Sequence, residues 1–278
     1  MNFYNLFFKL RITYFFIALL TIINISCKKD KKETTKKIKL FEAVTSNKSG
    51  ITFTNTLEET LESNYYQYLY TYIGGGVAAG DINDDGYIDL YFTSNSSEDK
   101  LYLNQGGLFF KDITKEAGIK FNNGFNTGVT MADVNQDGFL DIYVSRGGWK
   151  DDDNKFANLL YINNGDLTFT ESAKKHGLDD ANRTIQTTFF DFDNDNDLDA
   201  YVSNSPDISG KAQITNLDKI HVDPNTLNLK GSDRLYENDG SGNFKDISKK
   251  AGLLNDIGFG LNPIIGDLNN DGFQDIYV

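Results

Sequence analysis

The sequence is poor in several residue types on which whole classes of protein depend. Its 278 residues include one cysteine, three prolines, one tryptophan and two histidines. A single cysteine excludes an intramolecular disulfide. No Cys-His pair, nucleophile elbow or phosphate-binding glycine loop occurs. The two histidines, His176 and His221, stand far apart in the sequence. The usual constellations of an enzyme active site are therefore missing.

Positive charge is scarce beyond residue 39. Residues 1–39 carry nine basic and two acidic side chains, and the whole chain has a net charge of −13. Residues 40–278 therefore have a net charge of −20. A body this acidic disfavours nucleic acid as a partner, because the phosphate backbone attracts positively charged surfaces.

Fifteen of the acidic residues lie in four nine-residue loops that share one pattern. Loops 1 to 4 span residues 81–89, 133–141, 191–199 and 267–275. Each has a carboxylate or amide at positions 1, 3, 5 and 9. These side chains are Asp81, Asn83, Asp85 and Asp89; Asp133, Asn135, Asp137 and Asp141; Asp191, Asp193, Asp195 and Asp199; and Asp267, Asn269, Asp271 and Asp275.

Closely spaced oxygen ligands on a tight turn are typical of Ca²⁺ sites, since this hard cation takes roughly six to eight oxygen ligands. The pattern predicts four such sites, with the carboxylate at position 9 closing each coordination shell. The position-7 residues, predicted to contribute backbone carbonyl oxygens, are Tyr87, Phe139, Asp197 and Phe273. Four bound Ca²⁺ ions would offset much of the negative charge.

Position 6 requires a residue that tolerates left-handed backbone geometry. Loops 1, 2 and 4 have glycine there, and loop 3 has Asn196. An EF-hand begins similarly but needs an acidic residue at position 12. Here position 12 is apolar: Phe92, Val144, Val202 and Val278. The residues after each loop are β-branched or aromatic, which predicts that each loop enters a β-strand.

The loops belong to a larger repeat. Their first residues are 52, 58 and 76 positions apart, and each of the first three loops precedes a Leu-Tyr-x-Asn segment and a glycine turn. This order predicts units of four antiparallel strands, as in a β-propeller blade. The predicted blades cover about residues 73–119, 125–178 and 183–253, with a partial blade at 258–278. Because the last unit stops after its second strand, we expect the domain at 40–278 to belong to a longer protein.

The loops, the glycine-rich residues 74–80 and the Leu-Tyr-x-Asn segments resemble FG-GAP/VCBS repeats, as found in integrin-α-like propellers. The resemblance covers about residues 50–278. It implies calcium-stabilised blades on the outside of cells, commonly serving adhesion or ligand binding. Asn196 and an enlarged third unit depart from the family pattern. Residues 50–54 are predicted to be an outer strand that closes the ring.

The first 39 residues resemble an export signal and a tether. Basic residues precede an apolar run that ends at Cys27, as in a bacterial lipoprotein signal at 1–27 whose cysteine is lipidated; an uncleaved membrane anchor is the alternative. Residues 28–39 contain seven lysines and are predicted to be a disordered tether or, alternatively, a polybasic lipid-binding patch. We expect an extracytoplasmic protein that contacts a bacterial membrane only through this anchor.

Other segments are candidates for ligand contact. Insertions at about 146–158 and 205–231 are predicted to be rim loops, where binding residues concentrate. Tyr66, Tyr68, Tyr70 and Tyr72 alternate as on one face of a strand, which predicts a carbohydrate platform or packing against the first blade.

The expected function is a binding or adhesion module for a glycan or an extracellular protein, without catalytic residues of its own. Two alternatives remain open. The chain can be part of a polysaccharide-processing enzyme whose chemistry lies elsewhere, or a structural spacer at the cell surface.

Overall fold

A computed structural model describes residues 40–61, 64–66, 68, 70–120, 124–148, 157–205, 231–253, 258 and 260–278. The chain divides into two compact units, Met1–Ala43 and Val44–Val278, and all elements described below lie in the second. The strands are β1 Val77–Gly80, β2 Asp89–Phe92, β3 Lys100–Asn104, β4 Phe110–Asp112, β5 Phe125–Ala132, β6 Asp141–Gly147, β7 Leu159–Asn163, β8 Phe169–Glu171, β9 Arg183–Phe190, β10 Asp199–Ser205, β11 Arg234–Asn238, β12 Phe244–Asp246, β13 Ile264–Gly266 and β14 Asp275–Tyr277. Three four-residue helices are α1 Ser46–Ser49, α2 Ala173–His176 and α3 Ser248–Ala251.

The strands form antiparallel sheets in simple sequential order. Three sheets have four strands each, β1 to β4, β5 to β8 and β9 to β12, and a fourth consists of β13 and β14. None of these described sheets closes on itself. The all-β prediction of propeller-type blades is confirmed for the part of the ring that the chain contains.

The hydrophobic core lies between successive sheets. One cluster joins the first and second sheets, where the fully buried Tyr91 and Leu101 are in the same cluster as Ile142 and Val144. A second joins the second and third sheets, and a third reaches from the third sheet to Ile265 and Ile276 of the fourth. The second strands β6 and β10 are buried along their whole length. This arrangement confirms face-to-face packing, because each inner strand is covered on both sides.

A short turn after each of the first two blades docks against the next sheet. Gly118 and Gly177 have φ values of 80° and 75° and lie against the backbone carbonyls of Phe169 and Phe244. Each turn is closed by a backbone bond, Ala117 N–H to the Ile113 carbonyl and His176 N–H to the Ser172 carbonyl, at 2.7 and 3.1 Å.

Residues 45–50 form the same turn ahead of the first blade. The Ser49 N–H donates to the Thr45 carbonyl at 3.0 Å, and Gly50, with φ of 76°, lies against the carbonyl of Phe110. The prediction of a strand at 50–54 is wrong, since residues 51–60 lack regular structure. Phe53 stacks on Phe92 with ring centroids 5.1 Å apart, so this segment covers the first sheet.

The tyrosine-rich segment is also not a strand. Residues 64–66 and 70–73 form turns and bends, with the Ile73 N–H donating to the Tyr70 carbonyl at 2.9 Å. One strand face would expose its tyrosines alike, yet Tyr66 is 81% exposed and Tyr68 only 2%. The Tyr68 ring packs edge-on against Phe125 at 5.5 Å, on the second sheet. The prediction of a carbohydrate platform on a strand is therefore wrong. The prediction that these tyrosines pack against the first blade is also wrong for Tyr68.

Several predictions fall outside the described residues. These concern the export signal with Cys27, the tether at 28–39, and most of the two insertions, including residues 149–156 and 206–230. Among the helices that are described, none is long and apolar enough to cross a membrane.

Candidate metal centres

Each loop is the hairpin connection between the first two strands of a unit. In loop 1 the residue before position 1 pairs with the residue at position 9, Gly80 opposite Asp89, and the other three loops have the equivalent pair. The loop curls around the carboxylate at position 1. In loop 1, Asp81 accepts the backbone N–H groups of Asp85 at 3.2 Å and Gly86 at 2.7 Å. These bonds fix the acidic side chains on one small turn.

Two backbone positions in each loop are left-handed. The predicted one is position 6, where Gly86 has φ of 85° and Asn196 has φ of 72°. The sequence analysis missed position 4, whose residues are Asp84, Gln136, Asn194 and Asn270, with φ of 56°, 57°, 65° and 60°. Asparagine and aspartate are the non-glycine residues that most readily adopt this geometry. Asp84, Asn194 and Asn270 therefore indicated a left-handed position 4 in the sequence.

The carboxylate at position 9 holds three strands together. Asp141 is 1% exposed and accepts the N–H of Val134 in its own loop at 3.1 Å and the N–H of Asn163 on β7 at 2.8 Å. Asp89 and Asp199 make the equivalent pairs of bonds. Both oxygens of each carboxylate are thus used by backbone amides, and their remaining lone pairs are available to a cation.

Burial makes these carboxylates reluctant to ionise. Desolvation, and to a smaller degree the charges of neighbouring loop carboxylates, raise the pKa of Asp141 to about 7 and that of Asp199 to about 6, against the lowering effect of the backbone hydrogen bonds. The pKa of Asp89 is raised for the same reasons. A divalent cation among these groups would reverse the balance, since it favours the ionised form.

The donor set fits a hard cation on two further observations. In loop 1 the Asn83 amide donates to Asp85 at 3.0 Å, while its Oδ1 is buried and accepts no hydrogen bond. In loop 3, carboxylate oxygens of Asp191, Asp193 and Asp195 lie within 4.8 Å of one another. In loops 2 and 4, Asn135 and Asn269 instead accept the N–H at position 5, at 3.1 and 2.9 Å.

The structure therefore brings positions 1, 3 and 5 together in each loop, and the carboxylate at position 9 accepts the backbone N–H at position 2. At position 7, the rings of Tyr87 and Phe139 lie near the hairpin glycines Gly106 and Gly165. Phe273 is 52% exposed, whereas Asp197 is buried.

Asparagines of the Leu-Tyr-x-Asn segments tie neighbouring blades together, a role that the sequence analysis missed. The Asn163 amide donates to the carbonyl of Ile82 in loop 1 at 2.8 Å, and that of Asn238 donates to Val134 in loop 2 at 3.1 Å. Gln136 also donates to the Asn196 carbonyl at 2.9 Å, joining loop 2 to loop 3. The loops consequently lie side by side along one edge of the blades.

A second buried acid lies at the opposite end of the first sheet. Asp99 accepts the Ser94 N–H at 2.8 Å, the Tyr91 hydroxyl at 2.9 Å and the Asn126 amide at 2.8 Å. Burial raises its pKa to about 6 despite these bonds. Asn158 and Asp233 hold the same place before β7 and β11, each accepting a backbone N–H at 2.7 Å.

The described residues thus form propeller-type antiparallel sheets, three of four strands and one of two, each with an acidic loop between its first two strands. The family model described as "FG-GAP-like repeat" matches residues 81–144 and 223–278. These matches include loops 1, 2 and 4. They agree with the repeat unit seen in the structure.

Two relatives share the sequence over longer stretches. Cartilage acidic protein 1 of Xenopus tropicalis is 30% identical over 138 residues, 49% of this chain and 20% of the relative. Cartilage acidic protein 1 of Homo sapiens is 29% identical over 214 residues, 74% of this chain and 28% of the relative. The chain therefore spans only about a quarter of the length of the curated relatives that it matches.

Proposed function

We propose that the chain is a calcium-stabilised, non-enzymatic binding module that is displayed outside the cell on a lipid anchor and recognises a glycan or an extracellular protein. The observation that carries this proposal is the repetition of one loop geometry four times. FG-GAP-like repeats support a binding or adhesion role, and the loops explain how such a module is held together.

Calcium has a structural role in this proposal. The carboxylates and amides at positions 1, 3, 5 and 9, with the position-7 carbonyls, would hold one ion in each loop. The bound ion supplies positive charge to a cluster of acids and joins the first two strands. The position-9 carboxylates meanwhile fix the end of the third strand through their second backbone hydrogen bond, as Asp141 does with Asn163.

The histidine and acid contacts support a non-enzymatic role. His176 Nδ1 lies 2.5 Å from the carbonyl oxygen of Gly242, so this side chain joins the second blade to the third. The loop carboxylates accept backbone N–H groups within their own hairpins, as Asp81 and Asp133 do. These groups therefore serve the packing of the fold.

The ligand is expected at the edge opposite the metal loops. A cavity of about 860 Å³ lies there on the first blade, lined by Lys100, Lys115, Lys120, Glu116 and Thr114 among others. Lys100 is held by Glu98 and Asp112, each at 3.2 Å. Charged and hydroxyl groups of this kind suit a polar ligand such as a glycan or a polar protein surface.

The proposal is tested by screening the whole purified chain against arrays of glycans and extracellular proteins, with calcium and with a chelator. We expect binding to at least one class of ligand in calcium, loss of that binding in chelator, and at least about tenfold weaker binding for the Lys115→Ala/Lys120→Ala variant. Lys174→Ala, an exposed lysine on α2, is the control and should bind normally. Release of a product from a polysaccharide by this chain would contradict the non-enzymatic role.

A further inference from the structure

Loop 3 differs from its neighbours at position 7. In loops 1 and 2 an aromatic ring occupies this position, and a β-carbon on the hairpin glycine would lie 3.5 Å from the Tyr87 ring and 3.0 Å from the Phe139 ring. In loop 3 the residue is Asp197, and its Oδ2 is 3.5 Å from the equivalent point on Gly240. A carboxylate therefore replaces an apolar ring between the metal loop and the following hairpin.

Asp197 is buried with half of its hydrogen-bonding capacity unused. Its side chain is only 5% exposed, and Oδ1 has no hydrogen-bond partner. Among the described residues, the backbone N–H of Gly240 favours its ionised form, whereas the burial of the side chain and the negative charges of Asp195, Asp193 and Asp191 oppose it. A buried carboxylate oxygen without a donor is costly, so something that the protein chain does not supply is expected to satisfy it.

The rest of loop 3 is also the most acidic of the four. All five odd-numbered positions are aspartate, whereas loops 2 and 4 contain three acids each and loop 1 contains four. Among the described residues, the group of three carboxylates close enough to share one ion is the one in this loop, Asp191, Asp193 and Asp195. An ion held by them would be attracted by the additional charge of Asp197.

We infer that loop 3 is the tightest cation site of the chain and that Asp197 is the residue that makes it so. This inference rests on the proposed calcium sites. The Asp197 carboxylate contributes a fifth negative charge, and its free Oδ1 accepts a hydrogen bond from a water molecule on the bound cation. Because the attraction grows with cation charge, loop 3 favours a trivalent lanthanide ion more strongly than the other loops do.

The test is a calorimetric titration of the full chain with calcium in competition with a chelator, repeated with terbium, which reports its own binding by luminescence. We expect one site at least about tenfold tighter than the others. Asp197→Asn should weaken that site by about tenfold and leave the number of sites unchanged. Asp197→Phe introduces an aromatic residue, as in loops 1 and 2, and should weaken the same site to a similar extent. This second variant guards against a folding defect that is specific to Asp197→Asn.

Asp84→Asn is the matched control. This change removes one charge from loop 1 at an exposed position. Asparagine tolerates the left-handed backbone geometry of that position, and the tightest site should keep its affinity. Four equivalent sites in the unmodified chain, or a tight site that both Asp197 variants leave unchanged, would overturn the inference while the calcium proposal stands. Absence of any calcium binding would overturn both.

Discussion

Replacing Asp141 by alanine is expected to lower the free energy of unfolding by about 3 to 5 kcal/mol. The reason is that two buried backbone N–H groups, those of Val134 and Asn163, lose their acceptor, and each unsatisfied buried donor costs about 1 to 3 kcal/mol. Denaturant unfolding measures the difference. This measurement is best made in chelator at pH 6, below the carboxyl pKa of about 7, where the cost of a buried negative charge is small.

Asp275→Ala provides the matched comparison for this prediction. Asp275 holds position 9 of loop 4 but accepts a described hydrogen bond only from the Leu268 N–H, at 2.8 Å, and it is only partly buried. Its replacement should cost about 1 kcal/mol. If the two variants lost the same stability, the clamping role assigned to the position-9 carboxylates would be wrong.

Gly177→Ala is the second substitution with a large expected effect. Gly177 has φ of 75°, which costs a residue with a side chain about 1 to 2 kcal/mol, and a β-carbon there would overlap the backbone carbonyl oxygen of Phe244 on the next sheet. Because a carbonyl in a sheet cannot move aside easily, we expect a total loss of about 3 kcal/mol or more. Chemical or thermal unfolding of the whole chain measures it.

Gly252 separates the two causes. It follows α3 with φ of 82°, but no atom of a described residue lies within 4 Å of its β-carbon position. Gly252→Ala should therefore cost only the backbone term, about 1 to 2 kcal/mol. If Gly177→Ala and Gly252→Ala lost the same stability, the proposed steric contact between the turn after the second blade and the third sheet would be wrong.

The sheet order and the hairpin position of the acidic loops were predictable because their signals are local. Alternation of loop, apolar strand and glycine turn fixes which strands are neighbours, and a nine-residue loop with carboxylates or amides at positions 1, 3 and 5 brings these side chains onto one turn. The register of Gly80 with Asp89 follows from the same short hairpin. Repetition made each weak local signal stronger.

The wrong predictions concern residues whose environment lies outside their own unit. The alternating tyrosines fit a strand pattern, but Tyr68 turns inward because a pocket beside Phe125 of the second sheet buries its ring. Phe53 likewise stacks on Phe92 of the first sheet, and its segment forms no strand. Such contacts between distant segments leave no period in the sequence.

Cross-blade polar contacts were missed for a related reason. Asn163 reads as a turn residue at the end of β7, yet its amide reaches the carbonyl of Ile82 in the preceding loop. Asp99 precedes a strand, and nothing in its sequence neighbourhood indicates that it is buried between Tyr91 and Asn126. Repetition at equivalent positions was the available signal, since Asn104, Asn163 and Asn238 all end a third strand.

The most direct test of the calcium account is thermal unfolding of the full chain in chelator and in millimolar calcium, with magnesium and sodium chloride at matched ionic strength as controls for simple screening of the acidic body. Ligand that binds only the folded state stabilises it by mass action. We predict a melting temperature that rises with calcium concentration well beyond the effect of either control salt. A melting temperature that is the same in calcium, sodium chloride and chelator would contradict the account.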